Sequence, residues 1–111
     1  MKTNTDSFFH QGVTHAVCQD YAIHGGNFVI ASDGCSSVLD SDIGARIITK
    51  VSQCKMPLLL ETPAEKSIDL FLGWLSQGAG EAANAMSLEN ENSLAATLVT
   101  AYQRENEIRT L

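Results

Sequence analysis

Asp33 and Gly34 follow a short apolar run, Asn27 to Ser32 (NFVIAS), and this order suits the binding of a hard cation. A strand would hold the carboxylate rigidly, and the glycine would let the backbone turn and present its carbonyl oxygen as a second ligand. Asp20 lies in a weaker strand pattern, Val17 to His24, and could face the same point. However, an Asp-Gly pair after a strand is more often an ordinary turn, and Asp20 could simply cap one. Both interpretations stay open from these residues alone.

The elements around these aspartates are predicted from hydrophobic spacing and turn signals. Gly25-Gly26 between the two apolar segments predicts a hairpin with a two-residue loop. A first helix is predicted from a cap at Asp40 or Ser41 up to Pro57, which should stop it. Its apolar stripe consists of residues at helical spacing: Ile43, Ile47, Ile48 and Val51. Gly44 and Ala45 should let this helix approach a neighbour closely.

A second helix and two further strands are predicted in the other half of the chain. Thr62 is the expected cap, with Pro63 at the first helical position and Glu65 completing a capping box. Gly78 and Gly80 leave two possibilities, a helix that bends or breaks there or one that continues to Met86. The remaining predicted segments are a loop over Glu89–Asn92, a strand over Leu94–Tyr102, a turn over Arg104–Glu107 and a strand over Ile108–Leu111. This order predicts an α+β fold with helices on one face of an antiparallel sheet.

Charge and composition exclude several classes of partner. The net charge is −6, with 13 acidic residues against 7 scattered basic ones. Nucleic acids and anionic membranes both require clustered Lys and Arg, so neither is an expected partner. No signal peptide or membrane-spanning stretch is recognisable, which predicts a cytoplasmic protein. The three cysteines, Cys18, Cys35 and Cys54, lack zinc-type spacing and are predicted to be free thiols.

Several short motifs together resemble the metal-dependent protein phosphatases of type 2C, the PPM family. They keep their order over nearly the whole chain, and none is specific by itself. They are the Gln19-Asp20 pair, the strand end Ile30–Gly34, the small-residue turn Cys35–Ser37, Ser41 with Gly44-Ala45, and the segment Ser93–Leu98.

The resemblance implies a fold, a reaction and a set of site residues. The family fold is a four-layer α/β/β/α sandwich, of which residues 1–111 would be the N-terminal part of a single domain, with the C-terminal strands absent. The implied reaction is hydrolysis of phosphoserine and phosphothreonine in phosphoproteins by water that two Mn²⁺ or Mg²⁺ ions activate. Asp33 would bridge both metals, Gly34 would offer its carbonyl oxygen, Asp20 would orient metal-bound water, and His15 would contact the substrate phosphate.

The chain departs from the commonest family pattern at two positions. Many members have Arg in place of His15 and Glu in place of Gln19. A protonated His still contacts phosphate, but only near or below its pKa, whereas Gln keeps an oxygen and loses a charge. We interpret both as traits of a bacterial-like branch.

The family also draws further metal-binding aspartates from its C-terminal half. The aspartates at or inside predicted helices (Asp40, Asp42 and Asp69) do not replace them, so the isolated chain is expected to have little activity.

Two other functions stay open from the sequence. One is a phosphatase-like module that binds a phosphoprotein or partner without hydrolysing it. The other is an unrelated small α+β interaction domain, in which Asp20 and Asp33 would point away from each other. Cys35 as a catalytic nucleophile is less favoured than Cys35 as a member of a small-residue turn, because no motif of the cysteine phosphatases accompanies it.

Overall fold

The computed structural model describes residues 2–12, 18–35, 37–88 and 93–111. The chain forms four strands and two helices in this order: β1 (Asp20–His24), β2 (Phe28–Gly34), α1 (Ser41–Glu61), α2 (Ala64–Ala85), β3 (Ala96–Arg104) and β4 (Glu107–Thr110). The strands make one antiparallel sheet in the order β1-β2-β3-β4. The predicted α+β class, with two helices and an antiparallel sheet, is confirmed. The predicted loop over Glu89–Asn92 and Val17, the first residue of the predicted Val17–His24 strand, lie outside the described residues. Cys18 and Gln19 are not part of a strand, because β1 begins at Asp20.

The two faces of the sheet have different surroundings. One face packs on the helices, where Ile30 and Tyr102 are each 1% exposed and share a core with Met56, Leu59 and Phe71. Successive residues of a strand point to opposite faces, so the alternate positions form the other face. There Val99 is 61% exposed and Ile108 is 56% exposed. Within the described part of the chain no second sheet covers this face, so the four-layer sandwich is seen only as one sheet and one helical layer.

The β1–β2 hairpin turns one residue later than predicted. His24 pairs with Val29, and the Gly25 amide donates to the Phe28 carbonyl at 2.9 Å. The central residues are therefore Gly26 and Asn27 rather than Gly25 and Gly26. Neither glycine adopts a positive φ, so the turn does not use the backbone freedom on which the prediction rested.

Helix α1 continues past the proline that was predicted to end it. Pro57 lies inside the helix, which extends to Glu61. An interior proline removes one backbone hydrogen bond and costs about 3 kcal/mol. Met56 and Leu59 on either side are buried against the sheet, and burial of two such side chains contributes roughly 1.5–3 kcal/mol each. Core packing therefore outweighs the local signal.

The capping box predicted for α2 does not form. Pro63 precedes the helix and no side chain caps its N-terminus. The Thr62 hydroxyl instead donates to the Leu58 carbonyl at 2.7 Å, and the Thr62 amide donates to the Leu59 carbonyl. Thr62 therefore closes the end of α1 rather than opening α2.

Helix α2 runs without a break through Gly78 and Gly80. A Cβ atom at Gly78 would lie 2.7 Å from a methyl group of Val51 in α1. The absence of a side chain thus lets the two helices cross closely. Among the described residues, neither helix is long and apolar enough to cross a membrane.

The two C-terminal strands lie close to their predicted positions. β3 starts and ends two residues later than predicted, and β4 starts and ends one residue earlier. Arg104 pairs with Glu107 across the turn, where Glu105 has a positive φ of 55°. β3 lies beside β2, so residues 96–98 lie next to the strand end that carries Asp33.

Candidate metal site

Asp20 and Asp33 lie directly opposite each other on neighbouring antiparallel strands. The Gly34 amide donates to the Gln19 carbonyl at 2.9 Å, so the backbone hydrogen bonds fall one position beyond the two aspartates. Asp20 and Asp33 are thus a non-hydrogen-bonded pair, in which Cα atoms are about 4.5 Å apart and side chains approach closely. Both residues are exposed, on the open face of the sheet. The alternative in which the two aspartates point away from each other is wrong.

Gly34 is the last residue of β2 and lies against the backbone of Ser41, the first residue of α1. A Cβ atom at this position would lie 2.6 Å from the Ser41 carbonyl oxygen and 2.9 Å from that of Gln19. Both obstacles are backbone atoms, which cannot rotate away. Only glycine therefore fits between β1 and α1 here, and this close packing holds the adjacent Asp33 at the strand end.

The Gln19 side chain joins the three segments that meet at this point. Its amide nitrogen donates to the Ser41 hydroxyl at 3.1 Å and to the Cys35 carbonyl at 3.4 Å. The Ser41 hydroxyl in turn donates to the Cys35 carbonyl at 2.7 Å. These bonds tie β1, the turn after Asp33 and the first residue of α1 together. Gln19 acts here as a donor, a role that a Glu carboxylate cannot fill.

The aspartate pair lies in a cleft between β1, the end of β2 and the start of β3. β3 forms one wall of this cleft. Thr97 lies opposite Asp33 in the β2–β3 register, and the Cys35 amide donates to the Ala95 carbonyl at 2.9 Å. The N-terminal segment contributes His10, Gln11 and Gly12 to the same cleft. Thr97 belongs to the Ser93–Leu98 motif, but the sequence does not place it at the site, and His10 belongs to no motif. The strand register and the path of the N-terminal segment bring both beside the aspartates.

A comparison with known protein families excludes one of the remaining interpretations. The family model described as protein phosphatase 2C matches residues 10–111. The chain belongs to the protein phosphatase 2C family. No curated protein and no solved structure matches it. The unrelated interaction domain is therefore excluded, and the matched region contains every residue that the sequence predicted for the site.

The oxygen donors of this phosphatase 2C chain suit a hard divalent cation. Two carboxylates held opposite each other on a sheet repel, because like charges directly opposite are destabilising, and a cation between them relieves that repulsion. Carboxylate and carbonyl oxygens are the ligands that Mg²⁺ and Mn²⁺ prefer. Among the described residues, however, no group of three or more His, Cys, Asp or Glu side chains could hold a metal. His15, the predicted phosphate contact, lies outside the described residues.

Cys35 occupies the turn that follows the Asp-Gly pair. Its sulfur lies 3.2 Å from the Ser37 hydroxyl oxygen. This hydrogen bond, together with one to the Ser37 backbone, lowers the pKa of the Cys35 thiol, while slight desolvation and the Asp33 charge act in the opposite direction. The phosphatase 2C chain therefore presents an exposed thiol two residues from its candidate metal ligand.

Proposed function

We propose that this chain carries the first half of the active site of a metal-dependent protein serine/threonine phosphatase that takes phosphoproteins as substrates. The observation that supports this most directly is the cross-strand pairing of Asp20 with Asp33 at the end of β2. The family match over residues 10–111 agrees with it. In this proposal the Asp33 carboxylate and the Gly34 carbonyl bind Mn²⁺ or Mg²⁺, with two ions in the complete site.

Each residue assigned to the proposed site has a distinct part in it. When bound, the metal ions would supply a nucleophilic water at neutral pH and neutralise charge on the phosphoryl group. Asp20, opposite Asp33, would accept a hydrogen bond from that water and orient it. His15 would contact the substrate phosphate, and its protonated form would do so more strongly. The Gln19 and Ser41 bonds keep Asp33 and Gly34 in place.

The proposal includes completion of the site by carboxylates other than those described. Asp33 and Asp20 alone leave most of the metal's coordination to water, and affinity rises with the number of charged ligands. The open face of the sheet, with Val99 and Ile108 exposed, provides the surface on which a second sheet would complete the four-layer sandwich. Strands of such a sheet would bring the remaining carboxylates to the Asp33 end.

A second candidate function rests on the same count of ligands. Because the described residues offer two opposed carboxylates and no larger group, a module that binds a phosphorylated partner through a weakly held metal, without hydrolysing it, also fits. The two candidates predict the same metal ligands. They differ in whether a phosphopeptide that binds the chain is also dephosphorylated.

Calorimetric titration with Mn²⁺ tests the metal site on this chain. We expect saturable binding with a dissociation constant of about 1 mM or weaker, because few charged ligands are present. Asp33→Asn should weaken it at least about tenfold, whereas Asp69→Asn on α2 should leave it unchanged. In the absence of metal, Asp33→Asn should stabilise the fold by about 0.2–1 kcal/mol, since the like-charge pair is removed. Equal Mn²⁺ binding by wild type and both variants would rule out the proposed site.

Hydrolysis of a phosphothreonine peptide, followed by phosphate release at saturating Mn²⁺, separates the two candidate functions. Slow turnover that disappears in Asp33→Asn supports the phosphatase. Peptide binding that depends on Mn²⁺ and Asp33 but gives no phosphate supports the binding module. Turnover that survives in Asp33→Asn would contradict both.

A further inference from the structure

We infer that Cys18 and Cys35 form a reversible disulfide at the end of the candidate metal cleft, and that this pair is a redox modification site. Both residues line the cleft that contains Asp20 and Asp33. Both are free thiols in the structure, Cys35 exposed and Cys18 half-buried. The inference rests on their juxtaposition and does not depend on phosphatase activity.

The strand register brings the two cysteines together. β1 begins at Asp20, but backbone pairing runs one residue further, because the Gly34 amide donates to the Gln19 carbonyl at 2.9 Å. Cys18 directly precedes Gln19 and Cys35 directly follows Gly34, so the two cysteines flank this hydrogen bond at the same end of the hairpin. Residues that extend this antiparallel register by one step would form a non-hydrogen-bonded pair, with Cα atoms about 4.5 Å apart. Disulfides require Cα separations of about 4.4–6.8 Å, a range that includes such a pair.

Each of the two sulfur atoms makes a weak hydrogen bond. Cys18 Sγ donates to the Asp20 carbonyl at 3.4 Å, and Cys35 Sγ lies 3.2 Å from the Ser37 hydroxyl oxygen. Thiols are weak donors and acceptors, so a change of side-chain rotamer at each residue costs little. Residues 18 and 35 stand two positions from Asp20 and Asp33 in the sequence, and both line the same cleft as these aspartates. The disulfide would join the two strand ends beside the carboxylate pair.

Cys54 is an internal control for this pairing. It is exposed on α1, thirteen residues after Ser41, which places it about 20 Å along the helix from the cleft. In the folded chain it should therefore pair with neither Cys18 nor Cys35. In the unfolded chain the three possible pairings should occur to comparable extents, because loop-closure entropy depends only weakly on loop length.

The oxidation proceeds by thiol–disulfide exchange with a small disulfide such as oxidised glutathione. One cysteine thiolate attacks a glutathione sulfur, the S–S bond breaks, and one reduced glutathione leaves. The second cysteine thiolate then attacks the protein sulfur of this mixed disulfide and expels a second reduced glutathione. The protein loses two electrons and two protons, and one glutathione disulfide becomes two thiols. Excess reduced glutathione reverses both steps.

Mass spectrometry of the chain in glutathione redox buffers tests the inference. After oxidation, we expect an intact chain lighter than the reduced chain by two hydrogen atoms. After alkylation of free thiols and digestion, we expect a peptide pair that joins Cys18 to Cys35, with Cys54 alkylated. This pairing should exceed the other two together by about tenfold in the folded chain, and the excess should vanish in concentrated urea. Cys54→Ser should form the same disulfide to the same extent as wild type.

Two results would overturn the inference. One is oxidation that yields only glutathione adducts or dimers of the folded chain, with no intramolecular bond. The other is an equal mixture of the three pairings under native conditions, as in urea. Cys18→Ser and Cys35→Ser should each give a glutathione adduct on the remaining cleft cysteine, and an intramolecular disulfide in either variant would likewise count against the assignment.

Discussion

At the scale of single residues, Gln19 gives the clearest account of how the site is positioned. The commonest family pattern has Glu at this place, and from sequence the change is simply the loss of a charge. In the structure the Gln19 amide nitrogen donates to the Ser41 hydroxyl and the Cys35 carbonyl. A carboxylate at this position could not bond to the Cys35 carbonyl, because both groups only accept hydrogen bonds. The chemistry of the neighbours therefore selects the amide.

Gln19→Glu is expected to lower the free energy of unfolding by about 1–3 kcal/mol at neutral pH, because the two hydrogen bonds donated by the Gln19 amide are lost and a carboxylate lies beside the Cys35 carbonyl oxygen. The Glu carboxyl would have a higher pKa in the folded chain than its unfolded value of about 4.3. The stability deficit should therefore be present above the folded pKa and shrink as pH falls, since the protonated acid donates again. Urea unfolding at several pH values measures both effects.

Gln53→Glu on α1 is the control, and it should be close to neutral over the same pH range. If Gln19→Glu lowers the free energy of unfolding by the same amount at every pH, the cause is altered packing and not the loss of a hydrogen-bond donor.

Only part of the site could be predicted at this scale. Asp33 and Gly34 were recognisable because they form a strand end with a turn signal. The direct pairing of Asp20 with Asp33 was not, because the predicted Gly25-Gly26 loop would have set Asp33 opposite Cys18, and the later turn shifts the register by two residues. The roles of Thr97 and Ser41 depend on contacts between segments distant in sequence, which local patterns do not encode. The cross-strand relation of Cys18 to Cys35 needs the backbone hydrogen bond at Gln19 and Gly34.

At the scale of elements, Gly44 controls how closely α1 approaches the segment that leads into β3. A Cβ atom at this position would lie 1.6 Å from the Ser93 carbonyl oxygen and 2.7 Å from its carbonyl carbon. The sequence predicted such a close approach from Gly44 and Ala45, and it is confirmed. This contact lies just before β3, the strand that forms one wall of the cleft.

Gly44→Ala should lower the free energy of unfolding by about 1–3 kcal/mol or more, since backbone must move to make room. Gly73→Ala in α2 is the matched control, because no heavy atom lies within 4 Å of its added Cβ. That substitution should stabilise the fold by about 0.5–1 kcal/mol through helix propensity. Thermal and urea unfolding of the two variants give opposite signs if this is correct, and two changes of the same sign would contradict it.

The elements also show why some boundaries were mispredicted. Pro57 and the Thr62–Glu65 capping box are local signals, and both were overruled. Burial of Met56 and Leu59 in the core contributes more free energy than the helix loses at Pro57. The Thr62 hydroxyl donates to the Leu58 carbonyl and therefore does not cap α2. The predicted helices and strands are present because each depends on a long hydrophobic pattern. The ends of these elements depend on single residues, whose local preference is easily overridden by tertiary contacts.

At the scale of the whole molecule, the described structure is one sheet with helices on one face. Substitution of a β-branched residue by Thr should therefore change the free energy of unfolding by different amounts on the two faces of the sheet. Val99 and Ile30 are β-branched residues of neighbouring strands, 61% and 1% exposed respectively. Val99→Thr keeps the shape of the side chain on the open face, and should change the free energy of unfolding by no more than about 0.5 kcal/mol. Ile30→Thr on the helix face should cost about 2–5 kcal/mol.

Urea unfolding at two protein concentrations measures this contrast and tests what the open face does. If the face is exposed in the folded chain, Val99→Thr is near neutral at both concentrations and reduces binding of a hydrophobic dye. If instead copies of the chain cover one another's open faces, Val99→Thr destabilises only at the higher concentration, by mass action. A cost equal to that of Ile30→Thr at both concentrations would mean that another part of the same chain covers the face, contrary to the exposure of Val99.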